Sequence, residues 1–179
     1  MELIKAPNEF LEKQVKPFDF EKMDAGQISN DMVETMLKYK GIGLASNQVG
    51  IDAQIFVMGE EKPITVINPI ITEVGPERVE MEEGCLSFPG LYFKVKRPSV
   101  VSVQYLDIEQ KECIIKLEGL HARVFLHEYD HLQGITFDQR ISKLRLEMAK
   151  KKQEKLLKDL HGWTKWWFAG SIWQSSRQC

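Results

Sequence analysis

The chain has 179 residues, a mass of 20.7 kDa and 43% hydrophobic against 28% charged side chains, which suits one compact domain with a real core and excludes disordered and membrane-spanning classes of composition. No run approaches the ~18 apolar residues of a spanning helix, Met1-Glu2-Leu3-Ile4-Lys5 resembles neither a signal nor a transit peptide, and Cys85, Cys113 and Cys179 are too few for a disulfide framework, so a protein of the reducing cytoplasm is expected. The net charge of −2 conceals an acidic body, with 14 basic against 23 acidic side chains over 1–139, and a basic arm, with 8 against 3 over 140–160, a split that suits either a solvated helix face or a polyanionic partner.

Along the chain, residues 30–40 place Met32, Val33, Met36 and Leu37 at helical spacing, with Ser29 or Asn30 as N-cap and Gly41 as the left-handed residue beyond the C-terminus. From Ala53 to Leu117, short β-rich runs divided by Pro and Gly predict strands. These are Ile55–Met58, Ile64–Ile67, Ile70–Val74, Arg78–Met81, Tyr92–Lys96, Val100–Leu106 and Cys113–Leu117, a mostly antiparallel meander. Leu120–Leu132 reads as a helix stopped at Gly134, and a second runs from about Ile141 to Leu160 before Gly162.

The expected fold is α+β: a mostly antiparallel sheet packed around a central helix, with a C-terminal helix. It divides into a catalytic metal-binding domain over 1–139, a basic helix over 140–160 and a tail over 161–179. The tail holds all four tryptophans, Trp163, Trp166, Trp167 and Trp173. Such a cluster folds back on apolar surface or, as the sharper alternative, serves an interface.

His127-Glu128-Tyr129-Asp130-His131 carries the strongest chemical signal. On a helix, positions i and i+4 share a face, so His127 and His131 can aim two ring nitrogens at one divalent metal with Glu128 beside it to handle a proton. A catalytic site usually has a third protein ligand. Glu147, Glu154 and His161 are downstream choices, the first two in a Lys-rich solvated stretch. Cys85 is the better candidate, since Glu82-Glu83-Gly84-Cys85-Leu86-Ser87-Phe88-Pro89-Gly90 reads as a polar turn where a core cysteine is out of place. In Gly41-Ile42-Gly43-Leu44-Ala45-Ser46-Asn47-Gln48, the glycines permit a close backbone approach and Gln48 offers an uncharged donor. His121 and His161 read as ordinary polar residues and Cys113 as core.

Taken in order, the segments Gly41–Gln48, Glu83–Ser87 and His127–Leu132 resemble the peptide deformylase family, with its G-x-G-L-A-A-x-Q, E-G-C-L-S and Q-H-E-x-D-H-L motifs. The likeness spans about residues 3–145 and includes Pro7-Asn8, Arg97 and Gly134–Phe137. It implies an α+β metalloenzyme that removes the formyl group from the formylmethionine of new polypeptides. By motif position, Cys85, His127 and His131 would hold one divalent ion, Fe(II) first and Zn, Ni or Co as substitutes. Glu128 would be the general acid and base, Gln48 and the Leu86 backbone N–H would stabilise the oxyanion, and Ile42 and Gly43 would pair with the substrate backbone. Glu83 and Arg97 would form an ion pair behind the site.

The resemblance further implies a cytoplasmic monomer whose basic 140–160 helix contacts the ribosome. The chain departs from the family pattern at Ser46 (usually Ala), Leu126 (usually Gln) and Gln110-Lys111, where a hairpin Gly is common. The competing readings are a zinc peptidase of the HExxH type, using Glu147 or Glu154, and a non-catalytic module acting through the basic helix.

Overall fold

Asp24 starts the first helix. Its carboxylate accepts from the Gln27 N–H at 2.9 Å, capping α1 (Ala25–Lys38) well before the expected Ser29 or Asn30. Gly26 looks like a break in the sequence, yet the cap and the burial of Ala25 and Ser29 carry the helix through it. At the other end the Lys40 N–H donates to the Leu37 carbonyl at 3.0 Å and the Gly41 N–H to Met36 at 2.9 Å, the paired bonds of a Schellman motif. Lys40 (φ 57), not Gly41, takes the left-handed conformation. Gly41 is small for another reason: a Cβ there would sit 2.6 Å from Leu86 Cδ1.

The structure is a computed structural model that describes residues 1–155. After α1 come β1 (Gly43–Ala45), a 3-10 turn (Ser46–Val49), β2 (Ile55–Met58), β3 (Ile64–Val74), β4 (Arg78–Gly84), β5 (Tyr92–Pro98), β6 (Val100–Leu106), β7 (Glu112–Glu118) and α2 (Gly119–Leu132), then a 3-10 turn at Phe137–Arg140. The strands form two antiparallel sheets rather than one meander: five strands in the order β1-β2-β3-β6-β7, and the separate hairpin β4-β5. β3 joins two runs that the sequence separates at Asn68-Pro69. Pro69 has no N–H for the ladder, and the register slips between Ile67 and Ile70 while Asn68 (φ 49) turns its amide to the Phe18 backbone. In the β6–β7 turn, Gln110 (φ 64) occupies the left-handed position where glycine is common.

The five-stranded sheet lies between the helices, and period-two alternation sorts its side chains. Along β2, Phe56 and Met58 join Val66, Val101 and Val103 against Phe125, Leu126 and Leu132 of α2, while Ile55 and Val57 join Leu44 and Ile67 against Met32 and Met36 of α1. Cys113 is half-buried beside the first cluster, and His121 is exposed. Ser46 is fully buried and donates to the Ala53 carbonyl at 2.5 Å, so the hydroxyl that departs from the family pattern has a partner.

Residues Met1–Ile141 form one compact unit, and a second begins at Ser142. In the second, 143–155 are helical, so Ile141 precedes the helix that was expected to include it. The Trp-rich tail, His161 and the apolar positions Leu156, Leu157 and Leu160 lie outside the described residues. Replacing Asp24 by Ala removes the α1 cap and is expected to lower unfolding free energy by about 1 kcal/mol in urea titration; an unchanged midpoint would place the start of α1 elsewhere.

Candidate metal centre and active site

One face of α2 is unusually polar for a buried helix. Side chains four apart stack turn upon turn, so Arg123, His127 and His131 form a column. Glu128 and Asp130 lie beside it, and all five are buried. The β4–β5 hairpin meets this face: β4 runs through Glu83 to Gly84, and Cys85 then opens a turn closed by the Phe88 N–H on the Cys85 carbonyl at 2.9 Å. Strand pairing thus reaches further into the expected turn, but Cys85 itself lies in it.

The donor atoms of Cys85, His127 and His131 all lie within 4.8 Å of one another, the one such cluster among the described residues. Sγ of Cys85 is 3.3 Å from His131 Nε2. His127 directs Nδ1 to Glu83 Oε2 at 3.0 Å, which leaves Nε2 for the cluster. Tetrahedral donors bonded at about 2.0–2.3 Å sit roughly 3.3–3.8 Å apart; the Cys85–His131 pair has that spacing, and with His127 inside the 4.8 Å set the three could hold one divalent ion. Cys85, the upstream candidate, supplies the third donor of this cluster.

Two loops frame the cluster. Gln48 is fully buried: its Oε1 accepts from the Ala45 N–H at 2.8 Å, and its Nε2 donates to Ser87 Oγ at 3.1 Å and lies 3.4 Å from Cys85 Sγ. The N-terminal segment clips both loops together, with Ile4 N–H on the Gln48 carbonyl and Ala6 N–H on that of Ser87, each at 2.8 Å. Asn47 Nδ2 donates to the His131 carbonyl at 2.7 Å and fixes the end of α2. Glu128 lies over β1 so closely that a Cβ on Gly43 would stand 2.8 Å from its Cδ. Its Oε2 is buried and has no hydrogen-bond partner among the described residues.

The protonation states differ sharply over a few ångströms. Burial raises Glu128 to about 7, against the opposing pull of positive His127 and Arg97. Burial also holds His131 well below the ordinary histidine range, helped by positive charge on His127 and Arg97, and the neutral imidazole that results is the ligating form. Burial opposes charge on His127, but hydrogen bonds to Cys85 and Glu83 override it and raise the group to about 10. A proton there occupies the place a cation takes between the same donors. Glu83 is disfavoured as an anion by burial, yet bonds from His127 and Arg97 keep it far below the carboxylate range.

Arg97 grips Glu83 with Nε on Oε1 at 2.6 Å and a second nitrogen on Oε2 at 3.0 Å, as the resemblance implies, and also reaches Asp130 at 2.5 Å. Ser87 and Asp130 fall within the sequence motifs but carry no role there, and Arg123 and Arg140 lie outside them. For Arg123 the available signal was its place one turn before His127. In the position of the usual Gln, Leu126 is buried in the core, and its carbonyl accepts from Arg97 at 3.3 Å.

A cleft of about 580 Å³ opens onto the cluster, lined by apolar Ile42, Leu86, Leu91 and Val124 and by Gly43, Gln48, Cys85, His127 and Glu128. β1 forms the edge of the five-stranded sheet along it. The Gly59 N–H donates to the Ile42 carbonyl at 2.9 Å, so antiparallel alternation turns the Gly43 backbone N–H and C=O away from β2.

The sequence model of the polypeptide deformylase family matches residues 1–147. The chain belongs to that family. A peptide deformylase of Rhizobium meliloti is 40% identical over 153 residues, 82% of this chain and 88% of its own, and one of Aquifex aeolicus is 40% identical over 159 residues, 85% and 94%. Among solved structures, the Synechococcus elongatus peptide deformylase in complex with actinonin superposes with a TM-score of 0.81 at 34% identity, covering 86% of this chain and 87% of that one. The Thermotoga maritima enzyme gives 0.73 at 39%, covering 79% and 97%.

The activity is metal-dependent hydrolysis that removes the formyl group from the N-terminus of nascent peptides. No helix among the described residues is long and apolar enough to cross a membrane. Gly43→Ala pushes the Glu128 carboxylate out of place and is expected to lower formate release by about 10²-fold, the usual cost of a misplacement near 1 Å, with little change in melting temperature. Wild-type turnover in that variant would show that Glu128 tolerates displacement.

Proposed function

We propose that Cys85 Sγ, His127 Nε2 and His131 Nε2 hold one divalent ion and that Glu128, Gln48 and the Leu86 backbone N–H carry out deformylation around it. The observation that carries this reading is the convergence of the three donors within 4.8 Å beside a carboxylate with an unpartnered oxygen. The ion is Fe(II), with Zn, Ni and Co as substitutes, since one thiolate and two imidazoles form a borderline-soft set. Such an ion, when bound, polarises a carbonyl oxygen and brings the pKa of water towards neutrality.

Glu128, raised to about 7 by burial, is poised to accept a proton near neutral pH and to return it. It takes the proton of the attacking water and delivers it to the methionyl nitrogen as the formyl C–N bond breaks, so formate and a free amine leave. Charge gathers on the former carbonyl oxygen. Gln48 Nε2 meets it by exchanging its long 3.4 Å contact with Cys85 Sγ for the oxyanion, while the bond to Ser87 holds the amide in place. The Leu86 N–H is the second donor.

The substrate enters extended, adding to the free edge of β1. Gly43 contributes its backbone groups. Ile42, whose carbonyl is engaged by Gly59, contributes apolar surface. The methionine side chain lies in the apolar part of the cleft. The chain works as a monomer in the cytoplasm, where nascent chains carry the formyl group.

Protein loaded with Fe(II) or Ni(II) is expected to release formate from a formyl-Met peptide, and its failure to do so would refute the reading. Glu128→Gln is expected to keep the ion and lose turnover. Gln48→Ala is expected to lose about 10²- to 10³-fold in kcat with metal content unchanged, and a parallel fall in bound metal would make Gln48 a structural residue instead.

The basic 140–160 segment contacts the ribosome. Among the described residues of that helix, Lys143, Arg145, Lys150, Lys151, Lys152 and Lys155 outnumber Glu147 and Glu154, which suits a phosphate backbone. Co-sedimentation with ribosomes is expected to weaken steeply with salt and to be lost when Lys150, Lys151 and Lys152 are changed to Glu. Insensitivity to both would exclude this contact.

A further inference from the structure

The Glu83 carboxylate is saturated. Oε1 accepts from Arg97 Nε at 2.6 Å and from an Arg123 guanidinium nitrogen at 2.8 Å, while Oε2 accepts from Arg97 at 3.0 Å and pairs with His127 Nδ1 at 3.0 Å. These contacts fill its roughly four acceptor sites. Arg97 is shared, because it also binds Asp130, which Arg140 grips from the other side. Arg123, Glu83, Arg97, Asp130 and Arg140 therefore alternate in sign along one chain, and Arg123 is the cation that Glu83 does not share with Asp130.

The same guanidinium donates to the Val95 carbonyl of β5 at 2.8 Å and the Val79 carbonyl of β4 at 2.6 Å. One side chain, one turn before His127, thus holds both strands of the hairpin that ends in Cys85.

We propose that Arg123 is a positioning residue for deformylation: it fixes the Glu83 carboxylate against His127 and fastens the β4–β5 hairpin to α2, setting where the Cys85 sulfur meets the two imidazoles. Removing it strips Glu83 of its unshared cation and one of two bonds to Oε1, so the carboxylate that orients His127 can turn. It also frees β4 and β5 from the helix. Partners that orient metal-ligating histidines typically cost about 10–100-fold in metal affinity or activity when lost. The inference rests on the ligand set proposed above.

The test compares Co(II)-loaded wild type, Arg123→Met and Arg123→Lys by the visible spectrum of the bound ion, its rate of loss to a chelator, kcat and KM on a formyl-Met peptide, and melting temperature. Arg123→Met is expected to lose the ion about 10–100-fold faster and to drop kcat by a similar factor, with KM within about twofold and a shifted Co(II) spectrum. Arg123→Lys keeps the charge but cannot span Glu83 and both carbonyls, and is expected to fall between. A lowered melting temperature with wild-type spectrum, release rate and kcat per ion makes Arg123 merely structural and overturns the proposal. If Arg123→Met does not fold, wild-type values in Arg123→Lys overturn it equally. A wild type that holds no Co(II) through Cys85, or releases no formate, refutes the ligand assignment instead.

Discussion

A buried carboxylate joins the two halves of the candidate metal centre. Glu83 lies two residues before Cys85 on the hairpin and bonds to His127 on α2, so one acidic side chain ties the turn that holds the sulfur to the helix that holds the nitrogens. Helix geometry alone aligns His127 with His131. Nothing local aligns either of them with Cys85, which is 42 residues before His127 in the chain. Only a tertiary tether can do so.

The tether is ionic in a place where apolar packing is the cheaper glue. Desolvation of a buried ion pair offsets much of its attraction, and an apolar substitute of equal volume is often as stable. What an alternating chain of guanidinium and carboxylate groups supplies here is direction: each planar fork has one good way to meet its partner. In this chain, Arg97 and Arg123 turn Glu83 to His127, and Arg97 and Arg140 hold Asp130 on the next face of α2. The surrounding apolar clusters hold the sheet between α1 and α2, and the charged chain links the β4–β5 hairpin to α2 beside the donor cluster.

Much of the site was legible because its chemistry is carried by contiguous residues. The i, i+4 histidines, the cysteine in a Gly- and Pro-bounded turn and the glycine-rich loop before Gln48 each mark themselves within a few positions, and the order of the three identifies the family. The supporting charges do not. Arg123, Asp130 and Arg140 meet Glu83 and Arg97 only after β4, β5 and α2 have folded together, and an isolated arginine in a sequence carries no sign of the carboxylate it will find. In the fold, Val100–Leu106 was readable from strict alternation. The start of α1 was hidden by Gly26, the unity of β3 by Asn68-Pro69, and the three-residue β1 by its glycine, since each carries the local signature of a break that tertiary contacts override.

The most direct test is X-ray absorption at the metal edge of the Zn(II)-loaded protein. One sulfur at about 2.3 Å and two imidazole nitrogens at about 2.0–2.1 Å are expected around the ion. A shell of nitrogen and oxygen alone, with no sulfur, would remove Cys85 from the centre and contradict the convergence on which the proposed chemistry depends.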